Sequence, residues 1–510
     1  MNPEQRSAPN HKGGPVVLAL DVGTSSVRGA LYDEEGRELE GTMAQIRRSL
    51  QTTFDGGAEL DPVEGIEQVA RTIDAVLTQS PASGVQVEAV AVSCFWHSLV
   101  GVDAHGRPIT PVYGWADTRA ARQAEELKQL CDERTIHLRT GCRFHPSYWP
   151  AKLLWLREAE PHLYAKAHRW MSFGELLASA FFNQTAAMSV SMASGTGLFK
   201  LRSCEWDEEL LEALKISPEL LPVVAEKHEA FRRLKGEYAR RWPRLQNALW
   251  FPAVADGAAN NIGAGCTTRE YASLMIGTSG AMRVLWESDP PSEIPPALWC
   301  YRADSTRVVA GGALSDGGGL YAWMTGALSL SDDEKELEKE LAGMEADAHG
   351  LTVLPFWAGE RSPNWSTDAR GAIFGLTMHT RPVEILRAAM EAISYRFALI
   401  ARSLEELAPG AKLVASGGAL TASSVWPQML SDVLGRPLHL SNVAEASSRG
   451  AVLLALEAAS KLKSIEDAPA PFVQVFEPNA ARHARYLAGL ERQQEFYEKQ
   501  YSGVSIQKPE

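Results

Sequence analysis

Cysteine is scarce in this chain and follows no metal-binding or redox motif. No pair has the CxxC spacing that is typical of zinc sites and redox-active pairs. A disulfide framework, which small secreted domains use in place of a large core, is not expected either. The pattern favours reduced thiols in a cytoplasm, most of them acting as small core residues. The six cysteines are Cys94, Cys131, Cys142, Cys204, Cys266 and Cys300.

Long hydrophobic runs are also missing. No stretch approaches the roughly 20 apolar residues that a membrane-spanning helix needs. Residues 1–14 are polar and contain no apolar core, so they are predicted to form a flexible tail rather than a signal peptide. Residues 503–510 are expected to form a second tail. The sequence therefore predicts a cytoplasmic protein that has no membrane partner.

Positive charge is in deficit. Lys plus Arg number 50 against 63 Asp plus Glu, which gives a net charge of −13. This balance argues against a general nucleic-acid or acidic-membrane binder, while local basic patches for phosphate stay open. The 510 residues exceed what one hydrophobic core usually supports, so we expect two sizeable domains.

The first informative motif that is present lies near the start of the chain, where Asp21–Arg28 separates two apolar, strand-like segments. A glycine there permits a tight turn and the approach of backbone N–H groups to an anion, and hydroxyls add donors. A carboxylate at the strand end could hold Mg²⁺ beside phosphates, and an arginine could neutralise charge. Ordinary hairpin turns, in which the aspartate only caps the turn, show the same string. The candidate residues are Asp21, Gly23, Thr24, Ser25 and Arg28.

A second copy of this motif lies near the middle of the chain. In the segment 271–286, Gly277 and Thr278 again stand between two apolar strands. Two copies indicate two related domains, each giving a phosphate-binding hairpin to a shared cleft. Two unrelated hairpins with similar turns remain an alternative. So does a serine hydrolase, since Gly277–Ala281 approaches the GxSxG elbow, but the final glycine is missing and a strand follows where the elbow needs a helix.

The alternation of strand-like and helix-like segments predicts layered α/β domains. A strand predicted over 412–415 ends in a strand-to-helix turn of the kind that lets a nucleotide lie against the backbone, at Gly417, Gly418 and Ala419. No P-loop of the GxxxxGK[ST] type is present. Apolar spacing also predicts a strand over 87–92, helices over 62–77, 331–344, 382–406 and 480–501, and mainly helical structure over 118–180 and 203–244.

Two strings in the sequence resemble signatures of a known family. Gly371–Leu376, followed by Glu384–Glu391, fits a signature of the FGGY family of carbohydrate kinases throughout. Pro150–Leu156 is similar to the family's other signature, with Trp149 where a small residue or proline is usual.

This resemblance extends from about Val16 to about Leu456, nearly the whole chain. It implies an α/β protein with two actin-like, ribonuclease-H-like ATPase domains and ATP in the interdomain cleft. We place the N-terminal domain at 15–262 and the C-terminal domain at 263–502.

Within the family, several segments resemble gluconate kinases. Trp96–Leu99 is similar to their Met-His-Ser-Leu, and Trp115–Arg119 is similar to their Trp-Ala-Asp-x-Arg. Gly359–Pro363 is shared widely with xylulose kinases and discriminates little. Trp96 in place of Met and Gly114 in place of Thr are departures beside the expected sugar pocket, and they could mark a different substrate.

The resemblance implies roles for two aspartates. Asp256, between an apolar strand and a helix, matches the catalytic aspartate that acts as general base toward a sugar hydroxyl. By spacing alone it would be a helix N-cap. Asp21 matches the metal-side aspartate, and Asp21 and Asp256 are the candidate Mg²⁺ ligands.

The resemblance also implies which residues bind the nucleotide. Phosphates are expected at both turns, and the adenosine is expected at the glycines of the second half, where a packing turn would explain Gly318 nearly as well. The expected nucleotide-binding residues are Gly23, Thr24, Ser25, Arg28, Gly277, Thr278, Gly318, Gly417, Gly418 and Ala419.

For the sugar, the family positions match residues at strand ends. Without the family match, His97 would be interpreted as an ordinary core histidine. Arg119 could hold Asp117 in place rather than contact the sugar itself. A substrate carboxylate would need a cation, for which Arg143, His145 and Lys152 are candidates that the sequence does not choose among. The expected substrate-binding residues are Trp96, His97, Trp115, Asp117, His145 and Asp256.

These inferences predict an ATP- and Mg²⁺-dependent kinase that phosphorylates the terminal hydroxyl of a sugar or sugar acid, in the first place gluconate to 6-phosphogluconate. A kinase for another polyol or ketose, such as xylulose, is the near alternative. A non-catalytic actin-like ATPase or sugar sensor and the serine hydrolase are the distant ones. A homodimer is left open, and no nucleic-acid partner is expected.

Overall fold

The computed structural model describes residues 16–79, 85–184, 186–225, 229–470 and 472–501. The two predicted tails, 1–14 and 503–510, lie outside the described residues. The strands are β1 Val16–Val22, β2 Ser26–Tyr32, β3 Ala44–Arg47, β4 Gln51–Thr52, β5 Ala58–Leu60, β6 Val87–Cys94, β7 Val100–Val102, β8 Val112–Tyr113, β9 Arg169–Met171, β10 Phe199–Lys200, β11 Glu205–Trp206, β12 Leu249–Trp250, β13 Val254–Ala255, β14 Tyr271–Ile276, β15 Gly280–Glu287, β16 Trp299–Arg302, β17 Arg307–Leu314, β18 Thr352–Leu354, β19 Ala372–Phe374, β20 Lys412–Ser416, β21 Leu438–Ser441 and β22 Phe472–Phe476.

The helices are α1 Pro62–Thr78, α2 Ala121–Leu130, α3 Glu133–Thr140, α4 Trp149–Ala159, α5 Pro161–Lys166, α6 Phe173–Phe181, α7 Val190–Ser194, α8 Glu208–Leu214, α9 Gly236–Arg241, α10 Asp256–Gly263, α11 Gly318–Ala327, α12 Glu334–Ala342, α13 Pro382–Leu404, α14 Gly418–Ala422, α15 Val425–Leu434, α16 Ala446–Ala458 and α17 Ala480–Tyr501. None of the described helices is long and apolar enough to cross a membrane.

The first half of the chain builds one mixed sheet, in the order β12-β6-β1-β2-β3, with β13 also paired to β6. β1 is antiparallel to β2 and parallel to β6. It reads as a continuous apolar run because both of its faces are buried. Leu18 and Leu20 pack on one face with residues of α1, while Val17 and Ala19 pack on the other with residues of α16.

The second half repeats this arrangement in a larger sheet, in the order β16-β17-β15-β14-β20-β21-β22. β14 is antiparallel to β15 and parallel to β20, as β1 is to β2 and β6. Each half therefore begins with a hairpin whose first strand lies at the centre of a sheet. The prediction of two α/β domains with an actin-like fold is confirmed.

Two helices cross where the halves meet. α10 follows the first sheet, and α16 belongs to the second half but packs on β1 and β6. Glycines allow the crossing, because a Cβ on Gly263 would lie 1.8 Å from the carbonyl oxygen of Ala446 and one on Gly450 would lie 1.8 Å from that of Ala259. This close backbone contact joins the two sheets. The predicted division of the chain at residue 263 falls at the end of α10.

The local predictions were right where the apolar period is long and wrong where prolines interrupt it. Helices predicted over 62–77, 382–406 and 480–501 are observed within two residues of those bounds, as α1, α13 and α17. The prediction of mainly helical structure across 203–244 is wrong, since the described part of that segment contains the strand β11, the short helices α8 and α9, and single 3-10 turns at Pro218–Leu220 and Pro243–Leu245. Pro218, Pro222 and Pro243 break the run, because proline lacks an N–H and clashes in a helix interior.

Candidate active site

The candidate catalytic residues meet at one edge of the first sheet. β1 and β13 both run parallel to β6, and Asp21 and Val254 are each in register with Ser93, one on either side of it. Asp256 begins α10 directly after β13, and Trp96 and His97 follow the end of β6. Because the carboxyl ends of parallel strands meet at one edge, these side chains are brought together, in the place where open α/β sheets bind ligands.

Asp256 is the first residue of α10 rather than its N-cap, which is Ala255. One carboxylate oxygen accepts a hydrogen bond from the N–H of Gly257 at 2.8 Å. Burial raises the pKa of Asp256 to about 6; Arg283 opposes this shift and Asp21 adds to it. A carboxylate with a pKa near the working pH can accept a proton during a reaction and release it afterwards.

Asp21 lies beside Asp256 at the same edge. Its Oδ1 accepts a hydrogen bond from the Ser93 hydroxyl at 3.0 Å, and burial raises its pKa. Arg28 lies between two carboxylates, with Nη1 3.9 Å from Asp21 and 3.2 Å from Glu445. A half-buried carboxylate with a free oxygen is the hard donor that Mg²⁺ prefers, so Asp21 fits a metal ligand.

The two phosphate turns are the β1–β2 turn, residues 23–26, and the β14–β15 turn, residues 277–279. In each turn the glycine N–H is used internally, since Gly23 donates to the carbonyl of Ser26 and Gly277 to that of Ser279, both at 2.9 Å. Arg48 donates to the Gly23 carbonyl at 2.9 Å from behind the turn. Thr24, Ser25 and Thr278 are exposed or partly exposed, which leaves their hydroxyls to meet a ligand.

The glycines expected near adenosine lie together against the second phosphate turn. The N–H of Gly318 donates to the carbonyl of Gly277 at 2.8 Å. A Cβ on Gly318 would lie 3.2 Å from the Cβ of Ala419, and a Cβ on Gly417, whose φ is +101°, would lie 2.4 Å from the carbonyl oxygen of Ile276. The sites at 277, 318 and 417–419 thus form one cradle that side chains would fill, and it fits a nucleotide held against backbone.

A pocket between the two halves lies next to Asp256, and we call it the sugar pocket. Of the residues expected to bind sugar, Trp96, His97, Trp115 and Asp256 line it, whereas Asp117 and His145 are not among its lining residues. Its full lining is Trp96, His97, Trp115, Ser147, Tyr148, Asp256, Met275, Ser279, Gly280, Ala281, Arg283, Trp299, Tyr301, Ala313, Arg361 and Trp365.

His97 is held as a neutral side chain. Its Nδ1 lies 2.6 Å from the carbonyl oxygen of Gly195, which assigns the ring proton to Nδ1 and leaves Nε2 as an acceptor. Burial lowers the pKa of His97 to about 3. Trp96, beside it, donates from Nε1 to the Ser191 carbonyl at 2.9 Å and packs against Tyr301. Nε2 of His97 can accept a hydrogen bond from a sugar hydroxyl, and the ring of Trp96 can pack against the carbon chain of a sugar.

The other residues expected to bind the substrate already have partners. Asp117 is paired with Arg119 and accepts the N–H of Ala58 at 3.2 Å. His145 has Nε2 3.1 Å from the Glu360 carbonyl and Nδ1 3.0 Å from the Ser147 hydroxyl. These contacts fix the loops around the sugar pocket.

The cations proposed for a substrate carboxylate are also engaged. Lys152 is buried and donates to the carbonyls of His97, Gly114 and Ser147 at 3.0, 2.7 and 2.9 Å. Arg143 pairs with Glu133 at 2.7 Å. Lys152 therefore joins three loops, and neither side chain lines the sugar pocket.

Two arginines of the sugar pocket were not assigned a role from the sequence. Arg283 lies on β15, and Arg361 follows Glu360 in the string shared with xylulose kinases. The sequence does carry a signal for Arg283, since it is a lone charged residue inside an otherwise apolar strand before Glu287. A buried charge of that kind is costly unless it serves a partner or a ligand.

Comparisons with known proteins agree with this geometry. The N-terminal domain model of the FGGY family of carbohydrate kinases matches residues 16–263, and the C-terminal domain model matches residues 272–459. A gluconokinase of Bacillus subtilis (strain 168) is 28% identical over 88% of this chain and 89% of its own length.

Solved structures of two relatives from Lactobacillus acidophilus superpose closely. A gluconate kinase is 27% identical with a TM-score of 0.86, and a ligand-bound xylulose kinase is 26% identical with a TM-score of 0.87. Each alignment covers 96% of this chain and 99% of the other. Two relatives with nearly the same structural similarity to this chain are thus named for different acceptors.

Proposed function

This chain belongs to the FGGY family of carbohydrate kinases, phosphotransferases that use ATP and an alcohol acceptor, and we propose that its acceptor is gluconate, phosphorylated to 6-phosphogluconate. The observation that carries the proposal is Asp256. Its buried carboxylate, with a pKa of about 6, lies in a pocket between two domains, next to aromatic and hydroxyl-binding side chains.

Asp256 would act as the general base. ATP, when bound, supplies the phosphoryl group. The carboxylate of Asp256 accepts the proton of the terminal hydroxyl as that oxygen becomes the nucleophile, a contribution of about 10²- to 10⁴-fold in rate. Aromatic side chains from both halves line this position, and closure of the two domains on a bound acceptor would exclude water from it and limit wasteful hydrolysis of ATP.

We propose that Asp21, and with it Asp256, holds Mg²⁺ beside the phosphates. Asp21 is the half-buried carboxylate at the foot of the first phosphate turn, and among the described residues the direct partner of its Oδ2 is Arg28, 3.9 Å away. The exposed hydroxyls at 24, 25 and 278 and the cradle at 277, 318 and 417–419 are assigned to the phosphates and the adenosine.

Gluconate is favoured over a neutral sugar by two observations. The curated relative described above is a gluconokinase. The sugar pocket also contains two arginines against one aspartate, which suits an anionic acceptor. Xylulose is the second candidate, favoured by the TM-score of 0.87 with a xylulose kinase.

A panel of acceptors tests the proposal. ADP release would be followed with ATP and Mg²⁺ and with gluconate, xylulose, glycerol or no acceptor. We expect the highest kcat/KM with gluconate and little ADP release without an acceptor. A higher value with xylulose would reject gluconate while leaving the kinase assignment in place.

A cytoplasmic location and domains at 15–262 and 263–502 stay predictions, and a homodimer is left open. Gel filtration with light scattering would measure the mass of the particle against the 55.6 kDa chain.

A further inference from the structure

We infer that Arg283 and Arg361 form the carboxylate-binding subsite of the sugar pocket and make this enzyme selective for aldonic acids over neutral polyols. The inference rests on the proposed gluconate kinase function and names the residues that give it its specificity. Both arginines come from the second half of the chain and line the pocket together with Asp256.

The first argument is that both guanidinium groups are buried with donors to spare. Arg283 is 6% exposed, and its Nε and Nη1 have no hydrogen-bond partner. The Nε of Arg361 has none either, while its Nη2 donates to the carbonyl of Leu314 at 2.8 Å. Neither arginine forms an ion pair within the part of the chain that the structure describes. The charge of Asp256 acts on both guanidinium groups without a direct ion pair, so their unpartnered donors are left for a second, anionic partner.

The second argument is that the surrounding residues hold both side chains in place. Arg283 is in register with Gly311 of β17, where a Cβ would lie 3.0 Å from the Cγ of Arg283, so the glycine makes room for the side chain. The guanidinium of Arg361 lies over the ring of Trp115, with 4.5 Å between its Cζ and the ring centroid. Arginines fixed in this way lose little entropy when they bind a carboxylate.

The third argument is their distance from the phosphates. Arg283 lies three residues into β15 from Gly280, about 10 Å along the strand from the second phosphate turn. Arg361 lies by His97, whose pKa it helps to lower. The two arginines therefore serve the acceptor, while the turns at residues 23–26 and 277–279, one from each half, serve the phosphates.

The other cations near the pocket are excluded by their contacts. Lys152 donates hydrogen bonds from its ammonium group to three carbonyl oxygens, and Arg143 is paired with Glu133. The carboxylate subsite is thus on the opposite half of the chain from the candidates that lie next to the family signature in sequence.

Binding of two ligands that differ at one carbon tests the inference. D-gluconate and D-glucitol share a six-carbon chain, with a carboxylate in one and a hydroxymethyl group in the other. Isothermal titration without nucleotide would compare wild type with Arg283→Met, Arg361→Met and the double variant. We expect wild type to prefer gluconate, each single variant to lose about 10- to 100-fold in gluconate affinity, and glucitol affinity to change less than about threefold.

Two control variants and a second readout separate recognition from folding. Arg122→Met removes an exposed arginine far from the pocket and should bind as wild type does, and Arg283→Lys should recover part of the gluconate preference. The unliganded Arg283→Met protein should still unfold in one cooperative thermal transition, while the stabilisation by gluconate that wild type shows should disappear.

The outcomes are distinguishable. Equal loss of gluconate and glucitol binding would mean that the arginines only shape the pocket, and a loss with Arg143→Met but not with Arg283→Met would move the subsite elsewhere; either result overturns the inference. Wild type that binds glucitol as tightly as gluconate also overturns it. A third outcome is that wild type binds another aldonate more tightly than gluconate and the arginine variants lose this preference. That outcome would reject gluconate as the substrate and support the subsite.

Discussion

The two hairpins that open the two halves have the same place in their sheets and carry different charges. In the first, the pair before the turn is Asp21 opposite Arg28; in the second, the corresponding pair is Met275 opposite Ala281. The second turn is also one residue shorter, since Val22 pairs with Val27 but Ile276 pairs with Gly280. The same hairpin thus carries a charged pair before its turn in the first half and an apolar pair at the corresponding place in the second half.

The helices after the two sheets extend the same contrast. α10 begins with Asp256, whose carboxylate faces the sugar pocket, while α16, in the corresponding place, is preceded by Glu445, which is paired with Arg28. We infer that the first half holds the base and metal ligand, and that the second half holds the adenosine cradle and the arginines that choose the acceptor.

The largest expected effect comes from removing the base. Asp256→Asn should lower kcat by about 10²- to 10⁴-fold, because the amide cannot accept the hydroxyl proton. Glu445→Gln, the matched change at the other helix, should alter kcat by less than about tenfold, since a partly exposed ion pair contributes little. Steady-state kinetics with gluconate would measure both. Equal losses would mean that the two helices do not differ in the way we describe.

The metal assignment gives the next largest effect. Asp21→Asn should raise the Mg²⁺ concentration for half-maximal rate by about 10- to 100-fold, because a charged ligand is lost. Met275→Leu makes a volume-conserving change at the corresponding position of the second hairpin, and it should leave the Mg²⁺ dependence unaltered. Titrations with Mg²⁺ at saturating ATP would contradict the assignment if both variants responded like wild type.

Two adjacent glycines test the cradle of the second half. Gly417 has a φ of +101° and would place a Cβ 2.4 Å from the Ile276 carbonyl oxygen, so Gly417→Ala should cost about 1–3 kcal/mol in the free energy of unfolding and weaken ATP binding. Gly418 has open space around it, and Gly418→Ala should leave the unfolding free energy nearly unchanged. Urea denaturation would measure the difference, and equal values would remove the steric argument.

The smallest effect is the dependence on pH. Because burial raises the pKa of Asp256 to about 6, the base is ionised above that pH and protonated below it. The rate constant kcat/KM should therefore fall as the pH is lowered through about 6, approaching about tenfold per pH unit. A profile that stays flat down to pH 5 would mean that Asp256 is not the group that titrates.

Local sequence signals predicted much of the fold and part of the site. Both hairpins, the strand before Gly417 and the helices α1, α13 and α17 follow from apolar periods and turn residues that act over a few neighbours. The helix predicted over 203–244 fails because the apolar spacing there is interrupted by prolines, which prevent a long helix. Asp256 could be placed only with the help of the family resemblance, since its spacing alone favoured a helix cap.

The sequence by itself determined the two hairpin turns and the strands that flank them, because these depend on residues close together in the chain. The expectation of two domains came from the chain length, the repeated motif and the family resemblance, and the place of Asp256 came from that resemblance. Only the tertiary structure decided which cations line the sugar pocket. Lys152 donates hydrogen bonds to three carbonyl oxygens, and Arg143 is paired with Glu133. Among the described cations of the sugar pocket, the guanidinium donors without a hydrogen-bond partner belong to Arg283 and Arg361, far away in sequence. Whether a buried charge is satisfied depends on every group packed around it, and those groups come together only when the chain folds.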